Sequence, residues 1–388
     1  MRHYVACIFF LGACAPDTQP DRSGPVLPFA QELQEAVVGA LNENRGNHDL
    51  GLSVSMFVPG FAIWSGVAGV SHPGVPATPN TLFDVGSVAK NFEAALVLAL
   101  ADEGILALDD PISTWLPPLR HVDGTITVRQ LLNHTSGVFN VFENPAFPWV
   151  GTGVDYTREW GLEEMFSTFV LEPYGNPGTV QHYSSTNYRL LTAIVEEATG
   201  HSVPWGVEQR FLKPLGLDHS HMTMGAQVPE RFEVAHPMVD VNGDGVLEDL
   251  AGHSQKWVAS LTHPVLFTTP TDLVRWLAAL YFQRTVLPAE SLDAMLTYPD
   301  PEELDPEGGR YGLGVVDYSG VLGEKVYGHA GSALGFSAAA LYLSDYGVAM
   351  AWAINTGESR SELANTLMAN VWRSLSSVVI RNLSPTPR

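Results

Sequence analysis

Cysteine is nearly absent from this chain of 388 residues: there are two, Cys7 and Cys14, and both lie at the front. The body therefore holds no disulfide framework, no cysteine metal site and no catalytic thiol. Basic residues are scarce as well, 20 Lys and Arg against 42 Asp and Glu, for a formal net charge of −22. A surface that negative repels nucleic-acid phosphates and anionic lipid headgroups, so no nucleic-acid partner is expected. The acidic residues are spread along the chain and form no acidic tail, which fits a solvated globule. There is no Gly-rich phosphate loop, no His-x-x-x-His pair and no internal repeat. What is present suffices for a large buried core: 45% of residues are hydrophobic and 10% aromatic, enough for one big domain or two interlocked ones.

The front reads as an export signal. Arg2 and His3 make a small basic start, and Tyr4 to Ala13 is an apolar run ending in small residues. That run is too short to span a bilayer as a helix, which takes about 20 residues, and no later segment is long and apolar enough. Residues 1–13 are accordingly expected to be a signal peptide. Leu11-Gly12-Ala13-Cys14 is similar to the lipobox of bacterial lipoproteins, which implies a lipid on Cys14 and a membrane-anchored protein on the periplasmic or cell-surface side. Residues 14–28, rich in Pro, Asp, Ser and Gly, are expected to be a flexible tether.

Beyond the tether, Leu33, Val37 and Leu41 recur at helical spacing within Phe29 to Asn44, and Gly51 to Val58 alternates as a strand, followed after Pro59-Gly60 by a second one, Phe61 to Val70. A helix is predicted from near Ser87 to Gly104. Short helices are predicted at Val128–Asn133, Glu159–Val170, Tyr188–Thr199 and Val203–Leu212, then at Asp272–Tyr281 and Ala289–Leu296. The last third returns to strands, at Tyr311–Tyr318, Lys325–Gly328, Gly335–Leu343 and Gly347–Ile354, before a closing helix, Ser361–Ser374. The fold class that follows is α/β (α+β), with a sheet assembled from both chain ends and flanked by helices. Residues 29–105 and 262–388 would form an α/β/α sandwich, and residues 106–261 a mainly helical insertion.

Chemistry is concentrated in three segments. In Phe83-Asp84-Val85-Gly86-Ser87-Val88-Ala89-Lys90, a helix starting at Ser87 puts Ser87 and Lys90 one turn apart on one face. A serine hydroxyl is a weak nucleophile until a base takes its proton. A lysine amine can do so only when neutral, and lowering its pKa from about 10.4 to near 7 costs roughly 4–5 kcal/mol, which burial can supply. A helix N-terminus also offers N–H groups to a developing oxyanion. The second segment, Tyr183-Ser184-Ser185-Thr186-Asn187, feeds a helix and could present the Tyr183 phenol. The third, Tyr327-Gly328-His329-Ala330-Gly331-Ser332, has small residues on a strand, which let a substrate backbone approach closely. Singly, each has a bland reading: a helix-capping serine, a core tyrosine, a buried histidine bonded to backbone.

In this order and spacing the three segments resemble the penicillin-recognising serine hydrolases: the class C β-lactamases, the D-Ala-D-Ala carboxypeptidases and the related carboxylesterases. That family carries Ser-x-x-Lys, then Tyr-x-Asn, then Lys-Thr-Gly or His-x-Gly. Leu131-Leu132-Asn133-His134-Thr135-Ser136-Gly137 is similar to a further family segment. The resemblance spans about residues 30 to 375. It implies that Ser87 is the nucleophile, Lys90 the base beside it and Tyr183 the donor to the leaving group. His329 and Gly331 would line the substrate strand, and the N–H groups of Ser87 and Ser332 would form the oxyanion hole. The expected function is a serine hydrolase that forms an acyl-enzyme with a small-molecule or peptide substrate, an ester or a D-amino-acid amide, without metal or cofactor. A class C-type β-lactamase and a non-hydrolytic penicillin-binding sensor are the alternatives. Two departures bear on substrate. Ser185 stands where the family usually has asparagine, and His329 where β-lactamases have lysine, and both disfavour β-lactam hydrolysis.

One further stretch, Asp240-Val-Asn242-Gly-Asp244-Gly245-Val246-Leu-Glu248, matches the first part of an EF-hand calcium loop, but its twelfth position is Ala251 in place of a bidentate glutamate. The alternative is an acidic surface turn, since Asn-Gly and Asp-Gly favour turns in any case.

Overall fold

The computed structural model describes residues 24–44, 48–147, 160–225, 228–241, 244–251, 263–300, 303–304, 310–357 and 362–383. The expected signal peptide and Cys14 lie outside these. The expected tether is shorter than its composition implied, because its last residues are packed. Leu27 is buried against the sheet and the Pro25 carbonyl accepts the Ala62 N–H at 3.1 Å.

The first helix, α1 (Ala30–Asn44), buries its Leu33, Val37 and Leu41 stripe against the C-terminal helix Glu362–Asn382 and one face of the main sheet. That C-terminal helix runs eight residues past the predicted Ser374. Val378 and Val379 continue its buried stripe, and Arg381 pairs with Glu32 of α1.

The main sheet has eight strands, all antiparallel, in the order 310–311, 316–317, 326–333, 336–343, 348–354, 51–57, 64–72, 75–76. Gly51–Phe57 from the front pairs with Val348–Ile354 from the back, so the two chain ends share one sheet as expected. Alternation sorts the two faces. Leu52, Val54, Met56, Met350, Trp352 and Ile354 point toward the terminal helices. Ala338, Ala340, Ala349, Ala351 and Ala353 point the other way, and their small side chains admit the helix Pro270–Leu277, started by Pro270 and the Thr269 cap. The predicted strand Tyr311–Tyr318 is two short ones, Arg310–Tyr311 and Val316–Asp317, separated by a turn in which Gly314 has φ +73°.

The helical part holds α2 (Ala89–Asp102), α3 (Val128–Leu132), α4 (Leu162–Phe169), α5 (Ser185–Thr199) and α6 (Val203–Val207) around one apolar core. Thr127 and Gln130 form a capping box at the start of α3, and Gly200, at φ +70°, ends α5. A second, three-stranded sheet joins Phe83–Asp84, Val265–Thr268 and Ser220–Thr223. It anchors the segment entering Ser87, with Val85 donating to the Leu266 carbonyl at 3.1 Å. Among the described residues no helix is long and apolar enough to cross a membrane.

Candidate active site

The chain bends between the short strand at Asp84 and helix α2. Asp84 accepts the Gly86 N–H at 2.8 Å, and Gly86 adopts φ +50°. A single 3-10 turn, Gly86–Val88, carries Ser87, and α2 proper begins two residues later than the sequence suggested. Gly86 is required twice over, by its backbone angle and because a Cβ there would lie 2.6 Å from the Ser332 carbonyl oxygen. Asp84 is itself buried, and burial raises its carboxyl to about 7 against the opposing Gly86 hydrogen bond.

Three groups meet at Ser87. Lys90 Nζ donates to Ser87 Oγ at 2.8 Å, and the Tyr183 hydroxyl donates to the same oxygen at 2.8 Å. Lys90 is fully buried, with Nζ 5.1 Å and 5.5 Å from the ring centres of Tyr183 and Tyr188. Burial lowers its pKa from 10.5 to about 7, opposed by the nearby Glu93 carboxyl. Half of the Lys90 amines are then neutral near neutral pH, which is what a base for Ser87 needs. Burial pushes the Tyr183 phenol the other way, well above its usual value, while its contacts with Ser87 and Ser185 hold it back. Tyr183 therefore stays a phenol and can give a proton.

The third segment lies directly on this turn. A Cβ at Gly331 would sit 2.0 Å from the Val85 carbonyl oxygen and 2.8 Å from the Ser87 nitrogen. Strand Val326–Ala333 is thus pressed against residues 85–87, with Gly331 against the Ser87 nitrogen and Gly86 against the backbone of Ser332.

Two residues expected to touch substrate are engaged elsewhere. His329 is buried, its Nε2 accepting from the Tyr311 hydroxyl at 2.7 Å and its Nδ1 paired with the Ala330 carbonyl. Burial, and then the Lys90 charge, lowers its pKa to about 3, so it is a neutral ring with both nitrogens occupied. Ser185 is also buried. Its N–H donates to the Asn140 side-chain oxygen at 3.2 Å, and its side chain lies beside the Tyr183 phenol, holding the phenol's pKa down against burial.

Sequence reasoning gave no role to several residues that complete the site. Glu93, one turn beyond Lys90, is buried. Its Oε1 accepts from Thr192 at 2.8 Å, while Oε2 has no hydrogen-bond partner among the described residues. Burial raises it to about 8. Asn91 ties α2 to the rest of the fold through Tyr281, Gly314 and Trp276. His263 is buried close enough to Lys90 and His329 for both to depress its pKa after burial itself. At the rim beside Tyr183, Glu143 accepts from the Tyr174 hydroxyl at 2.7 Å and pairs with His182 at 3.1 Å. Only the Glu93 position carried a sequence signal, an acidic residue inside the apolar stripe of α2.

In the acidic stretch, Asp240 accepts the N–H groups of Asp244 (3.1 Å) and Gly245 (2.9 Å), and Asp244 accepts that of Val246 (2.8 Å). These bonds close a turn between the paired strands Met238–Val239 and Glu248–Asp249, where Glu248 is exposed. Asn242 lies outside the described residues, and among those described no group of three or more His, Cys, Asp or Glu side chains could hold a metal.

A sheet from both chain ends, a helical insertion and a serine held between a buried amine and a phenol define the β-lactamase/transpeptidase-like class of fold. The chain belongs to the Beta-lactamase family, whose profile matches residues 39–371. It is similar to Penicillin-binding protein 4 of Amycolatopsis lactamdurans, 34% identical over 201 residues, covering 49% of this chain and 48% of that protein. It is also similar to Esterase EstB of Burkholderia gladioli, 33% identical over 174 residues, covering 42% of this chain and 43% of that one. The matched part is thus about half or less of the length of these curated relatives. Among solved structures, a D-stereospecific amidohydrolase from Streptomyces sp. superposes with a TM-score of 0.71 at 29% identity, over 86% of this chain and 97% of that one.

Proposed function

We propose that this chain is a serine hydrolase that transfers the acyl group of an ester or a D-amino-acid amide to Ser87 and then to water. The observation that carries the reading is the double contact at Ser87 Oγ, 2.8 Å from both Lys90 Nζ and the Tyr183 hydroxyl. Neutral Lys90 takes the Ser87 proton as Oγ bonds to the substrate carbonyl carbon. The carbonyl oxygen gains the negative charge and faces the N–H groups of Ser87 and Ser332. On collapse, the bond to the leaving group breaks and Tyr183 gives that group its proton, to be reprotonated from the Lys90 ammonium. Water then attacks the acyl carbon, its proton passes to the same cluster, and Ser87 Oγ leaves with a proton.

Substrate class follows from the charge around this centre. His329 is neutral with both nitrogens engaged, so it offers no cation to a substrate carboxylate. The Ser185 side chain is buried beside Tyr183 and is shorter than the amide of an asparagine. Both favour an ester or amide over a β-lactam, and the likeness to an esterase and to a D-stereospecific amidohydrolase points the same way. The test compares a short-chain p-nitrophenyl ester, a D-amino-acid amide and a chromogenic cephalosporin, each with wild type and Ser87→Ala. Ester or amide turnover that vanishes in the variant supports the reading. Faster cephalosporin turnover would make the protein a β-lactamase, and stable labelling by fluorescent penicillin without turnover would make it a sensor.

We further propose that the protein is exported and held at the membrane by a lipid on Cys14, on the sequence Leu11-Gly12-Ala13-Cys14 and the acidic, proline-containing stretch that follows. Cys14→Ala should move the protein from the membrane fraction to the soluble one, and an unchanged distribution would reject the anchor.

A further inference from the structure

The catalytic reading leaves a buried histidine unused. His134 is 1% exposed, has φ +60°, and lies on the connection after α3, well away in sequence from the residues it touches. Its carbonyl accepts the N–H of His182 at 3.0 Å, and its ring nitrogen Nδ1 accepts the N–H of Ser184 at 3.2 Å. One residue thus grips the backbone on both sides of Tyr183. Its ring also packs on the Tyr183 ring, with centroids 4.5 Å apart. A left-handed angle at a non-glycine residue costs on the order of 1–2 kcal/mol and persists only where the surroundings over-determine it. Here it swings the carbonyl and the ring of one residue onto the same neighbouring segment.

The tautomer is set by a one-way chain of hydrogen bonds. Val138 N–H donates to Ser136 Oγ at 3.1 Å, and the Ser136 hydroxyl donates to Asn187 Oδ1 at 2.7 Å. That fixes the Asn187 amide with its nitrogen toward His134 Nδ1, at 3.1 Å. Nδ1 is therefore the acceptor and Nε2 carries the proton. Nε2 has no hydrogen-bond partner among the described residues, and the Tyr188 and Tyr311 rings pack on the imidazole with centroids 5.5 Å and 4.3 Å from its own. The charged and titratable groups that face it are Lys90, His329 and His182. With burial as the largest cause, they hold its pKa well below the usual histidine value.

We propose that His134 is the positioning residue for Tyr183: its carbonyl and its ring clamp residues 182 and 184 and so keep the phenol on Ser87. This rests on the hydrolase reading, in which Tyr183 protonates the leaving group. A group displaced by about 1 Å can cost on the order of 100-fold in rate. The loss should appear in kcat and not in KM, and it should depend on how much proton the leaving group needs.

The experiment compares an alkyl ester with the matching p-nitrophenyl ester, whose good leaving group departs without a proton. In His134→Ala the alkyl-ester kcat should fall about 10–100-fold and the p-nitrophenyl kcat about 3-fold or less. His134→Asn, whose side-chain oxygen can accept from Ser184 N–H and which tolerates a left-handed angle, should recover most of the loss. In a Tyr183→Phe background His134→Ala should cost about 3-fold or less, the non-additivity expected of groups acting as one. Equal losses on both esters, or the same cost in both backgrounds, would overturn the proposal. If His134→Ala does not fold, the ester ratio in His134→Asn and His134→Gln decides in the same way. Nitrogen NMR of the histidine-labelled wild type needs no turnover at all. The resonance missing from His134→Asn should stay in the neutral Nε2–H form through the pH range in which an exposed histidine titrates, and protonation there would refute the clamp even in an active enzyme. Absence of Ser87-dependent turnover in wild type would instead count against the hydrolase reading.

Discussion

Replacing Lys90 by methionine should make this protein more stable while abolishing its chemistry. Lys90 is fully buried, and burial lowers its pKa from 10.5 to about 7. At about 1.36 kcal/mol per unit, keeping the ammonium in the folded state costs about 5 kcal/mol. Methionine fills a similar volume without a charge, a swap that usually costs less than about 1.5 kcal/mol in packing. It also loses the hydrogen bond to Ser87, worth about 1 kcal/mol. The net gain is on the order of 2–4 kcal/mol at about pH 6. Its pH dependence has a definite sign. Between the folded pKa near 7 and the unfolded one near 10.5, the unfolded chain binds one more proton. Wild-type stability on this group's account therefore rises with pH, at about 1.36 kcal/mol per unit. The advantage of Lys90→Met should be largest below pH 7 and should fade by about pH 10.5. Urea unfolding followed by tryptophan fluorescence at about pH 6, 8 and 10 measures it. A variant less stable than wild type at pH 6, or a gain constant across the range, would refute the claim that Lys90 is held partly neutral by burial.

Glu93→Gln should show the opposite slope. The carboxyl is raised by burial from 4.5 to about 8, so its contribution to stability is complete below pH 4.5 and lost as pH rises through 8. Wild type should lose stability relative to the variant over that window, and parallel curves in pH-dependent unfolding would refute it. Tyr183→Phe keeps the ring but loses the proton, and should lower alkyl-ester turnover by about 10²–10⁴-fold with the melting temperature little changed; alkyl-ester turnover within about 3-fold of wild type would remove the phenol from the mechanism. Gly331→Ala places a Cβ 2.0 Å from the Val85 carbonyl oxygen, so strand and turn must separate. Turnover should fall by about 10²-fold or more, as for loss of an oxyanion donor, and an active, fully stable variant would show that the contact is not needed.

Much of the scaffold was legible because its signals are local. Leu33, Val37 and Leu41 announce α1, and the paired strands around Ser53 and Ala351 carry their own turns and apolar runs. The Ser87, Lys90 and Tyr183 cluster was legible only through the combined likeness of three segments, since no local rule brings residue 183 to residue 87. What could not be read are contacts made across long separations. His329 reads as a substrate-facing residue until Tyr311 is seen to occupy its Nε2. His134 reads as part of a motif without a task until its angle of +60° turns it onto residues 182 and 184. Leu27 sits in a stretch whose composition says tether, and only the sheet it covers shows otherwise. The closing helix outlasts its prediction because Ser374, Ser376 and Ser377 interrupt the apolar pattern that Val378 and Val379 resume.

The division of labour between the two parts of the fold has a consequence for substrate choice. Ser87 belongs to a turn wedged beneath strand Val326–Ala333, which carries Ser332, and there two glycines are held to backbone contact and little variation fits. Tyr183 comes from the insertion, on a segment tied to residues 134–141 through His134 with Ser184, Asn140 with Ser185 and Val141 with Thr186. A change along residues 138–147 can therefore reshape the pocket, or shift the phenol, without touching the Lys90 amine beside Ser87. Burial of Lys90 depends on Tyr183 and Tyr188 as its lid, so the two parts are not independent. Opening that lid to water would relieve the desolvation that keeps Lys90 neutral and restore its proton. Loop substitutions that admit larger acyl groups should hence carry a rise in the pH needed for activity, whereas those that preserve the tyrosine lid should change specificity alone.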